Sequence, residues 1–187
     1  MRVDLDHFEQ MYSAAADPWN FAEDHVEQRK YAITVASLPL ARYRRCYEPG
    51  CSIGALTERL AAIADVVIAQ EASPTAAERA AKRLATHTNV EVRGGSIPEM
   101  WPNGTFDLIV FSELGYYWDT DELRSIAVRL TQSIETGGHL VAVHWLGHSD
   151  DHLLSGREVH DVLRSAFGRS IVHHEDETFV LEVWTSR

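Results

Sequence analysis

The chain has 187 residues, which suits one domain, and its 45% hydrophobic and 24% charged residues are typical of a globular protein. The formal net charge of −11 disfavours nucleic acid or an anionic membrane as a partner, because both bind surfaces rich in lysine and arginine. Two cysteines are too few for a disulfide framework. The sequence shows neither a signal-peptide pattern nor an apolar run long enough to span a membrane. From these features we expect a cytoplasmic protein.

Two helices precede the first predicted strand. The weakly amphipathic pattern of Val3–Ser13 predicts the first helix, which ends before Pro18 because proline restricts its own backbone and that of the residue before it. A second helix is predicted from Asn20 to about Leu38. Within a single domain, we interpret residues 1–40 as a helical lid and residues 41–187 as the core.

From residue 44 onward, strand-like and helix-like segments alternate. The predicted strands are Arg45–Glu48, Asp65–Gln70, Val90–Arg93, Phe106–Ser112 and, after a turn at Gly137-Gly138, His139–Trp145. The predicted helices are Ile53–Ile63, one capped by Ser73 that ends near His87, Asp119–Ile134, and one that starts at the capping box Ser155-x-x-Glu158 and ends near Phe167. The last two strand-like runs, Ser170–His174 and Thr178–Trp184, predict an antiparallel pair. Largely apolar strands that alternate with helices indicate an α/β fold with a mostly parallel sheet covered on both faces.

The loop from Tyr47 to Gly54 follows the first strand and opens the next helix. Gly50 permits a tight turn, and Gly54 allows the helix to approach the strand closely. The backbone of the loop can then meet a ligand at the helix N-terminus. A purely structural turn is the alternative interpretation.

Two acidic residues flank this loop in the predicted fold. Glu71 ends the second strand about 20 residues after Gly50, where an acid can accept hydrogen bonds from both hydroxyls of a ribose. The alternative is a surface glutamate that interacts favourably with the dipole of the following helix. Glu48 would repel a pyrophosphate but suits a ligand with an amino group and a sulfonium. A dinucleotide motif matches poorly, since Ser52 and Ala55 stand at its second and third glycine positions.

These features resemble the class I S-adenosylmethionine-dependent methyltransferases. The matching positions are Glu48-x-Gly50-x-x-x-Gly54, Glu71, the strand segment Phe106–Val110 and Gly137-Gly138. Over most of the chain, the similarity is closer to the nodulation protein S (NodS) group of that class. The positions that carry this closer similarity are Asp17-Pro18-Trp19, Arg29-Lys30-Tyr31, Glu48–Gly54, Ser112–Tyr117 and Val143-His144-Trp145.

The resemblance implies a Rossmann-like three-layer α/β sandwich with a seven-stranded sheet, in which a C-terminal hairpin inserts one antiparallel strand among parallel ones. It implies S-adenosyl-L-methionine as the cofactor and S-adenosyl-L-homocysteine as the product. Glu48, Gly50 and Gly54 would then surround the methionine part, Glu71 would hold the ribose, and Ser96-Ile97 would flank the adenine. The expected cofactor-binding residues are Glu48, Gly50, Cys51, Ser52, Gly54, Glu71, Ala72, Ser96, Ile97 and Ser112. Ser52 and Ser96 depart from the class, which usually has glycine and aspartate there.

Members of the NodS group N-methylate a deacetylated amino sugar, so the resemblance implies a small acceptor with an amine or a sugar. Glu113 and His144 lie near the ends of the fourth and fifth strands, where open α/β sheets bind ligands, and they are the candidate catalytic residues that would take the acceptor's proton. The alternatives are that Glu113 only orients the substrate and that His144 is a hydrogen-bonded core residue. The expected substrate-binding residues are Trp19, Tyr116, Tyr117 and His144, because aromatic faces suit sugars and cations. Trp19 could equally form a hydrophobic staple, and one of Tyr116, Tyr117 and Trp118 is expected in the core.

His144, His148 and His152 recur every four residues, a spacing that can bind zinc on a helix. Gly147 and Ser149 favour a loop instead, so we predict a polar loop of the acceptor site and no metal site. A small-molecule methyltransferase is the favoured hypothesis. The alternatives are a non-catalytic module that binds an adenosyl ligand and a nicotinamide-dependent oxidoreductase.

Overall fold

The computed structural model describes residues 5–187, which form two compact units, one that ends at Pro102 and one that spans Asn103–Arg187. The first unit contains α1 (Leu5–Ala14), α2 (His25–Ala36), β1 (Tyr43–Pro49), α3 (Ala55–Ala61), β2 (Ala64–Glu71), α4 (Pro74–Arg83) and β3 (Val90–Gly94). The second unit contains β4 (Phe106–Ser112), a 3₁₀ turn (Gly115–Tyr117), α5 (Thr120–Ser133), β5 (Ile134–Trp145), α6 (Gly156–Phe167), β6 (Val172–Glu175) and β7 (Phe179–Thr185).

The described strands form a seven-stranded sheet in the order β3-β2-β1-β4-β5-β7-β6. β2 is parallel to both β1 and β3, and β4 is parallel to β5. β7 runs antiparallel to both of its neighbours, β5 and β6. This topology confirms the prediction of a Rossmann-like α/β fold whose C-terminal hairpin inserts one antiparallel strand.

The strands β2, β4 and β5 are largely apolar, and most of their length is buried. Leu108–Phe111 in β4 and Leu140–Val143 in β5 are inaccessible to solvent, and Val67–Ala69 in β2 are nearly so. Such strands carry no alternation of polar and apolar residues, as expected for a sheet covered on both faces. Among residues 5–187, no helix combines the length and hydropathy needed to cross a membrane.

Side-chain caps fix the starts of three helices as predicted. Ser73 accepts the backbone N–H of Ala76 at the start of α4. Reciprocal capping boxes open the two helices of the second unit: Asp119 with Glu122 at α5, and Ser155 with Glu158 at α6.

The predicted start of the second helix at Asn20 is wrong. α2 begins at His25, because the carboxylate of Asp24 accepts the backbone N–H groups of Val26 and Glu27. Asn20 instead lies in a turn with a left-handed φ of 57°. The part of the predicted first helix before Leu5 lies outside the described residues.

Several other predicted boundaries also differ from the structure. α3 is shorter than Ile53–Ile63, since Gly54 at its N-cap is left-handed, and α4 ends at Arg83 rather than near His87. Helix α5, which was predicted to reach Ile134, ends at Ser133, and β5 starts at Ile134. Gly137-Gly138 therefore lies inside β5 instead of before it. The pairing of β4 with β5 shifts register at this point, between Phe106 and Leu108. The C-terminal strands start one or two residues later than predicted, at Val172 and Phe179.

Candidate functional site

The loop after β1 contains three left-handed residues, Gly50 (φ 71°), Ser52 (φ 51°) and Gly54 (φ 82°). Glycine adopts this conformation freely, whereas Ser52 pays a steric cost because it has a Cβ atom. The backbone N–H groups of Gly50 and Cys51 both donate to the Gln70 carbonyl, at 2.7 and 3.0 Å. These bonds tie the loop to the end of β2.

Gly54 allows a close approach, but its partner differs from the one predicted. A Cβ atom at Gly54 would lie 2.9 Å from Leu84 Cδ1 and 3.4 Å from the Cα atom of Ala80. Ala80 belongs to α4 and Leu84 follows it, so the glycine makes room for α4 rather than for the strand. The loop is therefore packed between its own helix and the next one.

Glu71 is buried, with 8% of its surface exposed, so the alternative of a surface glutamate is wrong. Its Oε2 accepts the Ser52 N–H at 2.8 Å, and its Oε1 accepts the Ser73 N–H at 2.8 Å. Burial raises the pKa of Glu71, and the backbone N–H bonds from Ser73, Ser52 and Ala72 oppose this shift. The carboxylate thus links the loop to the start of α4.

Glu48 at the end of β1 is also buried. Thr57 donates a hydrogen bond of 2.6 Å to its Oε2. Burial raises the pKa of Glu48 to about 8, a shift that the Thr57 bond opposes and the nearby negative charge of Glu71 reinforces. Glu48 therefore keeps its proton at neutral pH, and it would ionise readily beside a cation.

Gln70 connects β2 to the segment after β3, a contact that the sequence interpretation missed. Its Oε1 accepts the Tyr47 hydroxyl at 2.8 Å, and its Nε2 donates to the carbonyls of Gly95 and Met100 at 3.0 and 2.7 Å. The signal available in the sequence was a polar residue that ends an otherwise apolar strand, next to Glu71. Gln70 thereby fixes the segment that contains Ser96 and Ile97.

The remaining expected cofactor residues differ in exposure. Ile97 and Cys51 are buried, and burial raises the pKa of the Cys51 thiol. Ala72, which follows β2, and Ser112, which ends β4, are partly buried. Ser96 donates to Glu99 Oε2 at 3.0 Å at the surface.

Helix α1 is attached to α4 at two places, near its middle and at its C-terminal end. The Glu9 carboxylate accepts hydrogen bonds from the Ser73 hydroxyl and from the hydroxyl and N–H of Thr75. The Arg79 guanidinium donates to the carbonyls of Tyr12, Ala15 and Ala16, at 2.7, 2.8 and 3.1 Å, where α1 ends.

Side chains on α1 and after it contact the loop after β1. The Tyr12 hydroxyl forms a hydrogen bond with the Ser52 hydroxyl. Tyr12 also packs with Ile53 of the loop and with Trp19, whose ring lies 5.3 Å from its own between centroids. The structure thus places Trp19 in an apolar cluster against the loop.

Glu113 follows β4 with a left-handed φ of 55°. Its backbone N–H donates to the Val143 carbonyl at 2.8 Å. Its Oε2 accepts the Tyr116 hydroxyl and the Trp145 N–H, the latter at 3.3 Å. The carboxylate is therefore fixed beside aromatic residues of the second unit.

We name the aromatic residues around Glu113 the acceptor cluster, which consists of Tyr116, Tyr117, Trp145 and His152. The His152 and Tyr116 rings are stacked with centroids 3.7 Å apart, and Tyr117 meets both rings edge-on. Burial lowers the pKa of His152, and the charge of Glu113 opposes this shift. One of the three consecutive aromatics was expected in the core, and two are buried: Trp118, which stacks on Phe111, and Tyr116. The sequence interpretation placed the segment that contains His152 in a polar loop of the acceptor site, but it named neither His152 nor Trp145 as a substrate-binding residue.

His144 is inaccessible to solvent. Its Nε2 accepts the Gly115 N–H at 3.0 Å, and its Nδ1 lies 3.2 Å from Nε2 of His160. These contacts agree with the alternative of a hydrogen-bonded core residue. His148 is exposed, and within the described part of the chain no three His, Cys, Asp or Glu side chains are grouped to hold a metal ion.

Comparison with known proteins identifies the family. The family model for nodulation protein S (NodS) matches residues 6–165. Nodulation protein S of Rhizobium tropici is 30% identical over 130 residues, which cover 68% of this chain and 55% of that protein. The Sinorhizobium fredii protein of the same name is 28% identical, over 68% of this chain and 60% of its own length. The chain thus matches somewhat more than half the length of these relatives.

Solved structures support the same assignment. A Pseudomonas syringae protein described as a candidate methyltransferase is 35% identical with a TM-score of 0.78, over 87% of this chain and 99% of that one. The N-methyltransferase NodS from Bradyrhizobium japonicum WM9, in complex with S-adenosyl-L-homocysteine, shares the fold with a TM-score of 0.83 at 22% identity, over 97% of this chain and 98% of that one. The chain therefore belongs to the nodulation protein S family.

Proposed function

We propose that the chain is an S-adenosyl-L-methionine-dependent methyltransferase that acts on a small-molecule acceptor. The observation that carries this proposal is the loop after β1, whose left-handed backbone is flanked by the buried carboxyl groups of Glu48 and Glu71. Membership of the nodulation protein S family supports it, as does the shared fold with a NodS structure that contains S-adenosyl-L-homocysteine.

The donor groups of the first unit fit this cofactor. Glu71 accepts the Ser52 N–H at Oε2 and the Ser73 N–H at Oε1, and the two oxygens of a carboxylate have further lone pairs that can accept a ribose hydroxyl. Glu48 fits the amino group of the methionine part, because a neighbouring cation favours its ionised form. In this assignment Ser96 and Ile97 flank the adenine, and Gln70 holds their segment in place.

The cofactor supplies an electrophilic methyl group on a sulfonium. The acceptor atom needs a lone pair to attack it, so an acceptor amine has to lose its proton before or during the transfer. We assign this step to the Glu113 carboxylate, which is the acidic group fixed within the acceptor cluster. His144 is not assigned to it, because its ring is buried and Nε2 already accepts a hydrogen bond.

We infer that the acceptor is the amine of an amino sugar. Aromatic rings stack on sugar rings and attract ammonium groups. Tyr117, Trp145 and His152 of the acceptor cluster are exposed or partly exposed, and they lie around the Glu113 carboxylate. The Bradyrhizobium japonicum relative is an N-methyltransferase, which supports an amine over a hydroxyl as the methylated group.

The test measures cofactor binding by calorimetry and transfer of a tritiated methyl group to glucosamine, to short oligosaccharides with a free amine, and to their N-acetylated counterparts. We expect labelled product from the free amines alone. Glu113→Gln should abolish most turnover and leave cofactor affinity unchanged, whereas Glu177→Gln, in an exposed turn, should change neither.

Two results would contradict the proposal. Cofactor binding without transfer to any amine or hydroxyl acceptor would indicate a non-catalytic module that binds an adenosyl ligand. Binding of NAD in place of S-adenosyl-L-methionine would indicate an oxidoreductase.

A further inference from the structure

We propose that His144, His160 and Glu182 form a buried relay of hydrogen bonds that positions the turn carrying Glu113 and Tyr116. The three side chains would thus be positioning residues for the acceptor. Their effect on the acceptor rests on the proposed function, whereas the relay itself is a property of the second unit alone.

The relay joins three elements of the second unit. Gly115 in the 3₁₀ turn donates its N–H to His144 Nε2 on β5, at 3.0 Å. Nδ1 of His144 lies 3.2 Å from Nε2 of His160 on α6, and Nδ1 of His160 lies 2.9 Å from Glu182 Oε2 on β7. His144 and His160 are inaccessible to solvent, and Glu182 is nearly so.

The Gly115 N–H at one end of the relay determines which ring nitrogen carries the proton in each of the two histidines. Because Gly115 donates to Nε2 of His144, the neutral ring carries its proton on Nδ1 and donates it to His160. Nε2 of His160 is therefore an acceptor, and its Nδ1–H donates to Glu182. A cationic His160 would place two donors face to face, so both rings are neutral and both carry the proton on Nδ1.

Glu182 anchors the far end as an anion. Arg164 lies 2.9 Å from its Oε2, and the Ser170 hydroxyl donates to its Oε1 at 2.7 Å. Burial favours the neutral acid, but the hydrogen bonds from His160, Arg164 and Ser170 bring the pKa of Glu182 to about 2. A buried carboxylate with this many partners is stably ionised, and it keeps His160 oriented.

Three consecutive residues of β5 hold the turn. The Val143 carbonyl accepts the Glu113 N–H, the His144 ring accepts the Gly115 N–H, and the Trp145 N–H donates to the Glu113 carboxylate. A Cβ atom at Gly115 would lie 2.4 Å from Val159 Cγ1 and 2.9 Å from His144 Nε2, so the turn is packed tightly against the ring. Loss of the ring's orientation would leave a buried N–H without an acceptor and release the turn.

The first test is spectroscopic and needs no substrate. Nitrogen-15 NMR of the histidine side chains at neutral pH should show His144 and His160 as neutral rings with the proton on Nδ1. A scalar coupling between the Gly115 nitrogen and Nε2 of His144 should report their hydrogen bond. A proton on Nε2 of either ring, or a cationic ring at neutral pH, would overturn the relay.

The second test separates hydrogen bonding from shape. His160→Phe keeps an aromatic ring in the core but has no polar atom, whereas His160→Gln can accept from His144 and donate to Glu182. The acceptor KM should rise about tenfold in His160→Phe, the effect of losing one buried hydrogen bond, and should stay near the wild-type value in His160→Gln. Cofactor affinity should remain unchanged in both variants and in the control His87→Gln, which lies in the first unit.

The two readouts distinguish failure of the relay from failure of the proposed function. If His160→Phe retains the wild-type acceptor KM, or if His160→Gln loses as much as His160→Phe, hydrogen bonding does not position the turn and the relay proposal is wrong. If the predicted histidine tautomers are present but no acceptor is methylated, the relay stands and the methyltransferase proposal fails.

Discussion

The Glu48 carboxyl group combines a buried position with a hydrogen bond from Thr57. Its pKa of about 8 means that the free protein holds this proton at pH 7. If the amino group of the cofactor binds beside it, the cation favours the carboxylate and the proton is released. Proton release on binding is thus a direct sign that Glu48 faces the cofactor.

We therefore predict that cofactor binding releases up to one proton between pH 6 and pH 8, and that affinity rises with pH over this window. Calorimetry in phosphate and in Tris, which differ in ionisation enthalpy, measures the number of protons released. Glu48→Gln should remove the dependence on buffer. Equal heats in both buffers for the wild-type protein would show that Glu48 does not meet the cation.

Glycine at position 54 has two roles that a pair of substitutions can separate. Gly54 and Gly137 both have positive φ, 82° and 78°, so alanine is strained at either position. A Cβ atom at Gly54 also meets Leu84 at 2.9 Å, whereas one at Gly137 meets nothing within 4 Å.

We predict that Gly137→Ala lowers the free energy of unfolding by about 1 kcal/mol, through backbone strain alone. Gly54→Ala should cost about 1–3 kcal/mol more, because the loop and α4 have to move apart. Urea denaturation of both variants measures the difference. Equal losses would show that the close approach of α4 has no energetic consequence.

At the scale of elements, α1 depends on side-chain contacts for its attachment. Arg79 holds the carbonyls at its C-terminal end, and Glu9 binds the start of α4. Since Tyr12 on this helix also contacts Ser52, the position of α1 and the conformation of the loop after β1 are connected.

Arg79→Met should release the end of α1 without affecting the sheet. We expect amide exchange in α1 to accelerate about tenfold, as for the loss of one net hydrogen bond, while amides in β2 keep their protection. The matched control is Lys82→Met. Lys82 lies on α4, as Arg79 does, and this variant loses an exposed ion pair with Glu78. Unchanged exchange in α1 would mean that the Glu9 hydrogen bonds and the packing of Tyr12 hold the helix without Arg79.

Elements specified by neighbouring residues were predictable from the sequence. The capping box of Ser155 and Glu158 can be recognised from a four-residue pattern. The loop after β1 can be recognised from its glycines and from the strand before it. The start of α2 was not predictable with the same rule, because Asn20 and Asp24 are both good caps and only the turn that follows Asp17 selects Asp24.

The residues of the candidate site also divide into those that the sequence could predict and those that it could not. Glu71 and the loop were identified because strand ends and spacing place them together. The contacts of Gln70 with Met100 and of His160 with Glu182 were missed, because each joins segments that are far apart in sequence and that only the folded chain brings together. His144 was therefore seen as a candidate base, although its ring is committed to Gly115 and His160.

For the molecule as a whole, buried glutamates with opposite pKa shifts contribute to how stability depends on pH: the pKa of Glu182 is lowered, whereas burial raises those of Glu48 and Glu71. Glu182 has its pKa lowered to about 2 in the folded protein, so its contribution is present above the unfolded value near 4.5 and is lost as the pH falls toward 2. Glu48 has its pKa raised to about 8, so its contribution is full below about pH 4.5 and is lost as the pH rises through 8.

We predict that the free energy of unfolding of the cofactor-free protein declines between pH 5 and pH 8, with a slope of up to about 1.4 kcal/mol per pH unit from Glu48. Glu48→Gln should flatten this alkaline limb, and Glu182→Gln should flatten the rise between pH 3 and pH 4.5 while leaving the alkaline limb unchanged. Urea denaturation across this range, with Glu177→Gln as the exposed control, measures both limbs. A wild-type stability that rises from pH 5 to pH 8 would mean that Glu48 is ionised in the folded protein, and the proton release predicted for cofactor binding would then be absent as well.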